Sequence, residues 1–217
     1  MNLEQARVNM IRNQVRTWEV IDDRVLDVLR DVRREEFVPA LHRKLAFSDL
    51  RIPLGHDQVM MKPIEQGRLL QSLSLGHDDE VLEVGTGSGF LTACLRRLAA
   101  RVTSLEILES LAAQAGNALA AQGVDDIDLR TGDVLDADFA EGSFDAIVVT
   151  ASVPGVPEAF ARWLRHGGRL FIVRGRSPAM EAMLLTRTES GRFLEQSLFE
   201  TDLPRLIGTE EAPRFQF

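Results

Sequence analysis

Residues Val81-Leu-Glu-Val-Gly85-Thr-Gly87-Ser-Gly89-Phe90 constrain what this chain can fold into more than any other stretch. A short apolar run ends at Val84, glycines follow at alternate positions, and an apolar helical pattern starts near Gly89. A strand, glycine turn and helix in that order belong to an open α/β sheet. There, ligands bind at the carboxyl ends of the strands, at the point where strand order reverses. Glycine lets a ligand approach the main chain with no Cβ in the way. The spacing separates the candidate ligands. A dinucleotide fingerprint requires G-x-G-x-x-G, but position 90 is Phe and the last glycine comes one residue early. A P-loop requires Lys and then Ser/Thr after its last glycine, and neither follows Gly89. Glu-x-Gly-x-Gly-x-Gly with no phosphate-binding Lys or Arg nearby fits a ligand that carries an adenosine and no phosphate.

From Glu80 onward the chain keeps a strand–helix rhythm. RVTSLE reads as a second strand, followed by the helix ESLAAQAGNALAAQ, which Gly123 ends. IDLRTGD and FDAIVVT read as the third and fourth strands. Pro157 opens a helix through Trp163, then Gly167 and Gly168 turn the chain into a fifth strand, RLFIVR. AMLLTRT and FLEQSLF flank Glu-Ser-Gly-Arg as a hairpin. The expected fold is α/β: a doubly wound, mostly parallel seven-stranded sheet with a terminal antiparallel hairpin and an N-terminal helical cap. Upstream, residues 3–17 have helical spacing, and Asp22 caps a helix that turns Val25, Leu26, Leu29 and Val32 inward. Residues 34–63 are broken by Pro39, Pro53, Gly55 and Pro63 and read as short elements and a long functional loop; Pro63 starts a further helix. Two parts are expected in one compact unit: a cap and acceptor loop over 1–77 and a cofactor-binding domain over 78–217.

Acidic residues sharpen the ligand. Glu106 ends the second strand, 21 positions after Gly85, close to the ~20-residue offset at which an acid accepts the ribose hydroxyls. Asp133, in Thr-Gly-Asp-Val after the third strand, is placed to receive an adenine amino group. Glu83 lies inside the first strand, where a carboxylate needs hydrogen bonds or an opposite charge, and a cationic ligand end suits it. These positions point to S-adenosyl-L-methionine, with its positive sulfonium, its amino-acid end lying along the glycine turn. The expected cofactor set is Glu83, Gly85, Thr86, Gly87, Ser88 and Gly89 at the turn, Glu106 and Ile107 after the second strand, Gly132, Asp133 and Val134 after the third, and Thr150 ending the fourth. Cys94 reads as a packed small hydrophobe, Asp145 as a helix-cap or loop partner, and Arg33, Arg34, Glu35 and Glu36 as a solvated charged face. His42, His56, His77 and His166 are scattered and read as surface or loop residues, and no metal-ligand set is visible.

Composition excludes several classes. The 217 residues hold 33 acidic and 25 basic side chains, a net charge of −8. With no basic tract, such a chain is a poor nucleic-acid binder, because that affinity rests on many phosphate contacts. A hydrophobic content of 45% supports a real core. No apolar run approaches the roughly 20 residues of a membrane span, and the first residues lack the apolar core of a secretory signal. A single cysteine excludes an internal disulfide. A soluble, cytoplasmic protein is expected; the sequence carries no signal for oligomeric state.

Over nearly its whole length the chain resembles the protein-L-isoaspartate O-methyltransferases. The matching pieces are MIRNQV, RVLDVLRDVRREEFVP, PLGH-x-Q before Pro63, VLEVGTGSGF, TGD, FDAIVVTASVPGVPEAF and LRHGGRLFIV. The glycine motif alone is common to class I methyltransferases, whereas RREEFVP and PLGHDQ are particular to this family. LPRLIG is similar to the family's closing Pro-Leu-Val-Gly segment, with one residue that does not align. The resemblance implies methyl transfer from S-adenosyl-L-methionine to the α-carboxylate of isoaspartyl residues in damaged proteins or peptides, a repair step. That chemistry needs in-line positioning and exclusion of water rather than a base, because the carboxylate is already ionised and the methyl already activated. One departure stands out. Where the family reads Ile-Ser-x-Pro, its serine facing the substrate carboxylate, this chain reads Met60-Met61-Lys62-Pro63. Met61, in the serine's position, cannot donate a hydrogen bond; Lys62 is the candidate carboxylate anchor, as a looser point charge. Two other readings stay open: a different, small-molecule or apolar acceptor with Met60 and Met61 lining its pocket, and a cofactor-binding protein without catalysis.

Overall fold

Local rules account for the N-terminal third of the computed structural model, which describes residues 2–209; Met1 and residues 210–217, the ends of the two expected parts, lie outside the described residues. Helix α1 (Leu3–Met10) starts where the Asn2 side chain accepts the Gln5 amide at 3.1 Å, and runs on as a wider turn over Ile11–Val15 and a tight one over Arg16–Trp18. Helix α2 (Asp23–Asp31) is capped by Asp22, which accepts the Arg24 amide, and it buries Val25, Leu26, Val28 and Leu29. Residues 34–63 hold two short 3-10 turns, Arg34–Glu36 and Ala40–Leu45, and an antiparallel hairpin of β1 (Ile52–Gly55) and β2 (Gln58–Met60). His56 and Asp57 turn that hairpin with both φ angles positive, the backbone that matches strand twist. Helix α3 (Pro63–Leu73) begins on its proline, and Glu65 accepts the Lys62 amide at 3.0 Å.

The remaining strands form one sheet: β3 (Glu80–Val84), β4 (Arg101–Glu106), β5 (Asp128–Thr131), β6 (Phe144–Val153), β7 (Leu164–Arg176), β8 (Ala179–Arg187) and β9 (Phe193–Thr201). Their spatial order is β5-β4-β3-β6-β7-β8-β9, parallel from β5 to β7 and antiparallel at β8 and β9. The doubly wound sheet with its terminal hairpin is therefore as expected. Helices α4 (Phe90–Leu98), α5 (Glu109–Ala121) and α6 (Glu158–Trp163) cross between strands. Both faces of the sheet are buried, so neighbouring apolar residues point to opposite cores. Val81, Ala146, Val148, Phe171 and Val173 join the core under α2, α3 and α4, whereas Leu82, Ile147, Val149, Leu170 and Ile172 join the one that holds Phe160 and Trp163. One expectation is corrected. Gly167 and Gly168 do not turn the chain ahead of a strand; they lie within β7, in a bulge between the pairs Phe144–Leu164 and Ala146–Arg169.

A second correction concerns Arg33–Glu36. Arg34 and Glu35 are buried, Arg34 completely. The Arg34 guanidinium donates through Nε to the Ala46 carbonyl (2.8 Å), through Nη2 to the Met61 carbonyl (2.7 Å) and through Nη1 to Gln66 Oε1, and lies over the Phe90 ring. Burial pulls its pKa down to about 9, so it remains a cation at neutral pH. Glu35 pairs with Arg7 of α1, also buried. A run of charges reads as a solvated face unless its partners are known, and these partners lie 12 to 32 residues away.

Arg34→Met retains the volume and removes every donor, orphaning three acceptors. At ~1 kcal/mol or more for each, it is expected to destabilise the fold by about 3 kcal/mol or more. Urea unfolding checks this against Arg30→Ala at an exposed site, expected to stay within about 0.5 kcal/mol.

Candidate cofactor and acceptor site

Strand order reverses between β3 and β6, and the glycine turn leaves β3 at that point. The turn is held from three sides. The Gly85 amide donates to the Leu105 carbonyl of β4 at 2.8 Å. From β6, Thr150 Oγ1 donates to the carbonyls of Val84 (3.1 Å) and Gly85 (2.8 Å). At the end of β4, Glu106 accepts the Gly87 amide on Oε2 (2.9 Å) and the Leu108 amide on Oε1 (3.1 Å). Gly85 has φ +91°, and a Cβ there would stand 2.4 Å from Thr150 Oγ1, so only glycine fits.

Glu83 is fully buried one residue before the strand's end. Its Oε2 accepts from Thr92 and Ser104, both at 2.6 Å, while Oε1 meets no donor among the described residues. Burial raises its pKa to about 7; the hydrogen bonds from Ser104 and Thr92 oppose that rise, and the nearby Glu106 charge adds to it. A half-satisfied buried carboxyl marks a place for a donor that the described residues do not supply.

Two adjoining cavities open here. A cleft of about 650 Å³ is lined by Gly85, Gly87, Glu106, Ile107, Gly132, Asp133, Val134 and Thr150, with apolar walls from Leu54, Val59, Leu105 and Leu111. A smaller cavity of about 320 Å³ is lined by Glu83, Gly85, Thr86, Gly87, Ser88 and Thr150, together with Met60, Met61 and Gln66. Leu54, Val59, Gly85, Gly87 and Thr150 line both. Every residue of the expected cofactor set but one is thus on a cavity wall. The exception is Gly89, which lines neither cavity; it caps α4, and a Cβ on it would press at 3.3 Å on Ala115 and Leu119. Of the two acceptor candidates, Met61 lines the smaller cavity, and Lys62 lines neither.

Several lining residues had no signal in strand–helix periodicity. Leu54, Gln58 and Val59 come from the β1–β2 hairpin. Pro204–Ile207 form a strap across the cleft, tied to β6 at Ser152, whose amide donates to the Pro204 carbonyl and whose carbonyl accepts the Leu206 amide, each at 2.8 Å. Only the family-like segments PLGHDQ and LPRLIG pointed to these stretches. Cys94 is buried, as expected, and burial pushes its thiol pKa up. Asp145 is neither a helix cap nor near the site: it pairs with Arg165 and accepts the Glu80 amide at the opposite end of the strands. His56 is exposed beside Ser110. Among the described residues no three His, Cys, Asp or Glu gather as a metal site, and no helix is long and apolar enough to cross a membrane.

The sequence model of the family described as protein-L-isoaspartate(D-aspartate) O-methyltransferase matches residues 5–202. A protein-L-isoaspartate O-methyltransferase of Koribacter versatilis is 36% identical over 204 residues, 94% of this chain and 91% of its own. One of Brucella anthropi is 32% identical over 213 residues, 98% of each. In fold, the chain is similar to a Plasmodium falciparum protein assigned as a protein-L-isoaspartate O-methyltransferase and crystallised with S-adenosyl-L-homocysteine. The TM-score is 0.79 at 20% identity, over 95% of this chain and 98% of that one.

The Glu83 carboxyl holds its proton to a higher pH in the folded chain than in the unfolded one. Stability contributed by this group is therefore highest below the ordinary carboxyl range and falls as pH rises towards about 7. Glu83→Gln removes that dependence, so its stability relative to the parent is expected to improve between pH ~5 and ~8, by at most about 1.4 kcal/mol per pH unit. Urea denaturation across that range checks it, and a pH-independent difference would contradict the assignment.

Proposed function

The chain belongs to the protein-L-isoaspartate(D-aspartate) O-methyltransferase family, and from that premise we propose that it methylates the α-carboxylate of isoaspartyl residues in damaged proteins or peptides with S-adenosyl-L-methionine as donor. The observation that carries this reading is the pair of cavities meeting over the glycine turn, one walled by Glu106 and Asp133 and the other by Glu83 and Met61.

When bound, S-adenosyl-L-methionine supplies an activated methyl group on a positively charged sulfonium. Glu83 Oε1, buried and without a donor, accepts from the ammonium at the cofactor's amino-acid end. Each oxygen of Glu106 uses one lone pair on a backbone amide and keeps another for a ribose hydroxyl. Asp133 Oδ1 accepts the Leu135 amide at 2.8 Å, which leaves Oδ2 for the adenine amino group. Leu54, Val59, Leu105 and Val134 exclude water from the cleft. The acceptor carboxylate needs no base, so these side chains only position and desolvate the reacting groups. In this reading residues 1–77 supply the acceptor wall through Leu54, Val59, Met60 and Met61, and residues 78–217 hold the cofactor. It also includes a cytoplasmic location, supported by the single buried cysteine, and no nucleic-acid partner, supported by the net charge of −8. The two thioethers of Met60 and Met61 in the smaller cavity favour one second reading, an apolar acceptor at the same site.

Incubation with methyl-labelled S-adenosyl-L-methionine and an isoaspartyl peptide is expected to give base-labile incorporation. No incorporation by the parent, with incorporation by Met61→Ser, would favour the apolar acceptor. Calorimetry checks the cofactor contacts: Glu106→Ala is expected to weaken S-adenosyl-L-methionine binding about tenfold or more, as fits lost hydrogen bonds to a charged group. Undiminished affinity would refute the ribose contact.

A further inference from the structure

We propose that Arg205, rather than Lys62, anchors the acceptor's carboxylate, from the junction of the cofactor cleft with an open groove that receives the peptide. The groove, about 860 Å³, is lined by Arg51, Val59, Ser177, Met180, Asp202 and Arg205 among others. Val59, Pro204 and Arg205 line both the groove and the cofactor cleft, so a chain lying in the groove reaches the cleft past them. This deepens the isoaspartyl reading and rests on it.

Charge selects Arg205. Among the described residues it is the only cation lining the cofactor cleft, whose other charges are Glu106 and Asp133. Of the remaining charges in the groove, Arg51 is engaged by Glu65 and Thr201, both at 2.8 Å, and Asp202 accepts from the Ser177 hydroxyl at 3.0 Å. Among the described residues Arg205 has no carboxylate partner: its Nη2 donates to the Gly175 carbonyl at 2.9 Å, and its enclosed Nη1 meets no acceptor. An enclosed donor without an acceptor is costly, and a guanidinium tied at one amino group presents the rest of its planar fork to a carboxylate.

Position excludes the cofactor's own carboxylate as the partner. Arg205 does not line the smaller cavity where Glu83 and the glycine turn receive the amino-acid end. The side chain is also well placed by its backbone. Ser152 of β6 bridges to Arg205, with the flanking Pro204 and Leu206 bonded to Ser152, and Thr150, two residues earlier, rests on the glycine turn. One strand thus registers the guanidinium against the turn. With Met61 unable to donate and Lys62 outside both cavities, Arg205 supplies the charge that recognises the acceptor.

The test compares an isoaspartyl peptide with the same peptide bearing an α-carboxamide, using the full-length chain. Calorimetry on protein loaded with S-adenosyl-L-homocysteine is expected to show the parent preferring the carboxylate by about 10-fold or more, and Arg205→Gln losing that preference. In steady-state assays Arg205→Gln is expected to raise the KM for the isoaspartyl peptide to a similar degree, with the KM for S-adenosyl-L-methionine held within about twofold. Arg205→Lys, which retains charge without the fork, is expected to fall between, and guards against a folding defect in the first variant. Equal weakening of both peptides, or a matching rise in the KM for the cofactor, would overturn the proposal. So would failure of the loaded parent to bind either peptide. If the parent prefers the carboxylate through Arg205 yet transfers no methyl, the anchor stands and the isoaspartyl function falls.

Discussion

The guanidinium of Arg34 sits where residues 34–63, α3 and the first turn of α4 converge, and its three hydrogen bonds join the Ala46 and Met61 carbonyls to Gln66 of α3. Taking a cation out of water is unfavourable unless its donors are met. Here they are met by two carbonyls, an amide oxygen and the face of Phe90, the residue that starts the helix after the glycine turn. The same bonds hold the Met61 carbonyl, so a wall of the smaller cavity is tied to α3 by a charge that never reaches solvent. Burial of that charge is tolerable because each guanidinium nitrogen donates to a fixed acceptor, and removal of any one partner leaves a buried donor unmet.

A similar economy governs the glycine turn. Thr150, Glu106 and Leu105, from the two strands flanking β3, bond the turn's backbone groups. The turn is therefore held by the chain's own side chains and carbonyls, and such fixed groups favour binding. Glu83 differs: one oxygen is satisfied by hydroxyls and the other meets no donor among the described residues, and burial raises its proton affinity although those hydroxyls oppose the rise. Within one site, an acid that shapes the backbone lies beside an acid with one oxygen unmet among the described residues. Their environments, not their residue type, separate the two roles.

Much of this was legible in the chain. Asp22 and Pro63 announce helix starts because capping is local chemistry. The strands EVLEV and FDAIVVT declare themselves because a strand buried on both faces carries runs of adjacent apolar residues, here Val81-Leu82 and Ala146–Val149. Glu106 and Asp133 were locatable because the doubly wound fold puts strand ends in a row. Other features escaped for reasons just as physical. Pro53 and Gly55 disguised a two-stranded hairpin, since proline is tolerated only at strand edges. Gly167 and Gly168 imitated a turn because a bulge needs the same backbone freedom. Arg34 and Glu35 imitated a solvated face because their partners are remote in sequence.

By itself, then, the sequence determined the sheet, its order of elements, the glycine turn at the switch point and the acids beside it, because each follows from short-range pattern and the handedness of βαβ connections. Tertiary structure alone decided which charges line the cavities. Lys62, adjacent to Met61 in the chain, lines neither cavity, whereas Arg205, far along the chain, is brought to the cleft by its bridge to Ser152. Proximity along a chain sets which residues are neighbours in an element. Which of them meet across a cavity depends on long-range register and packing, and no local pattern encodes that.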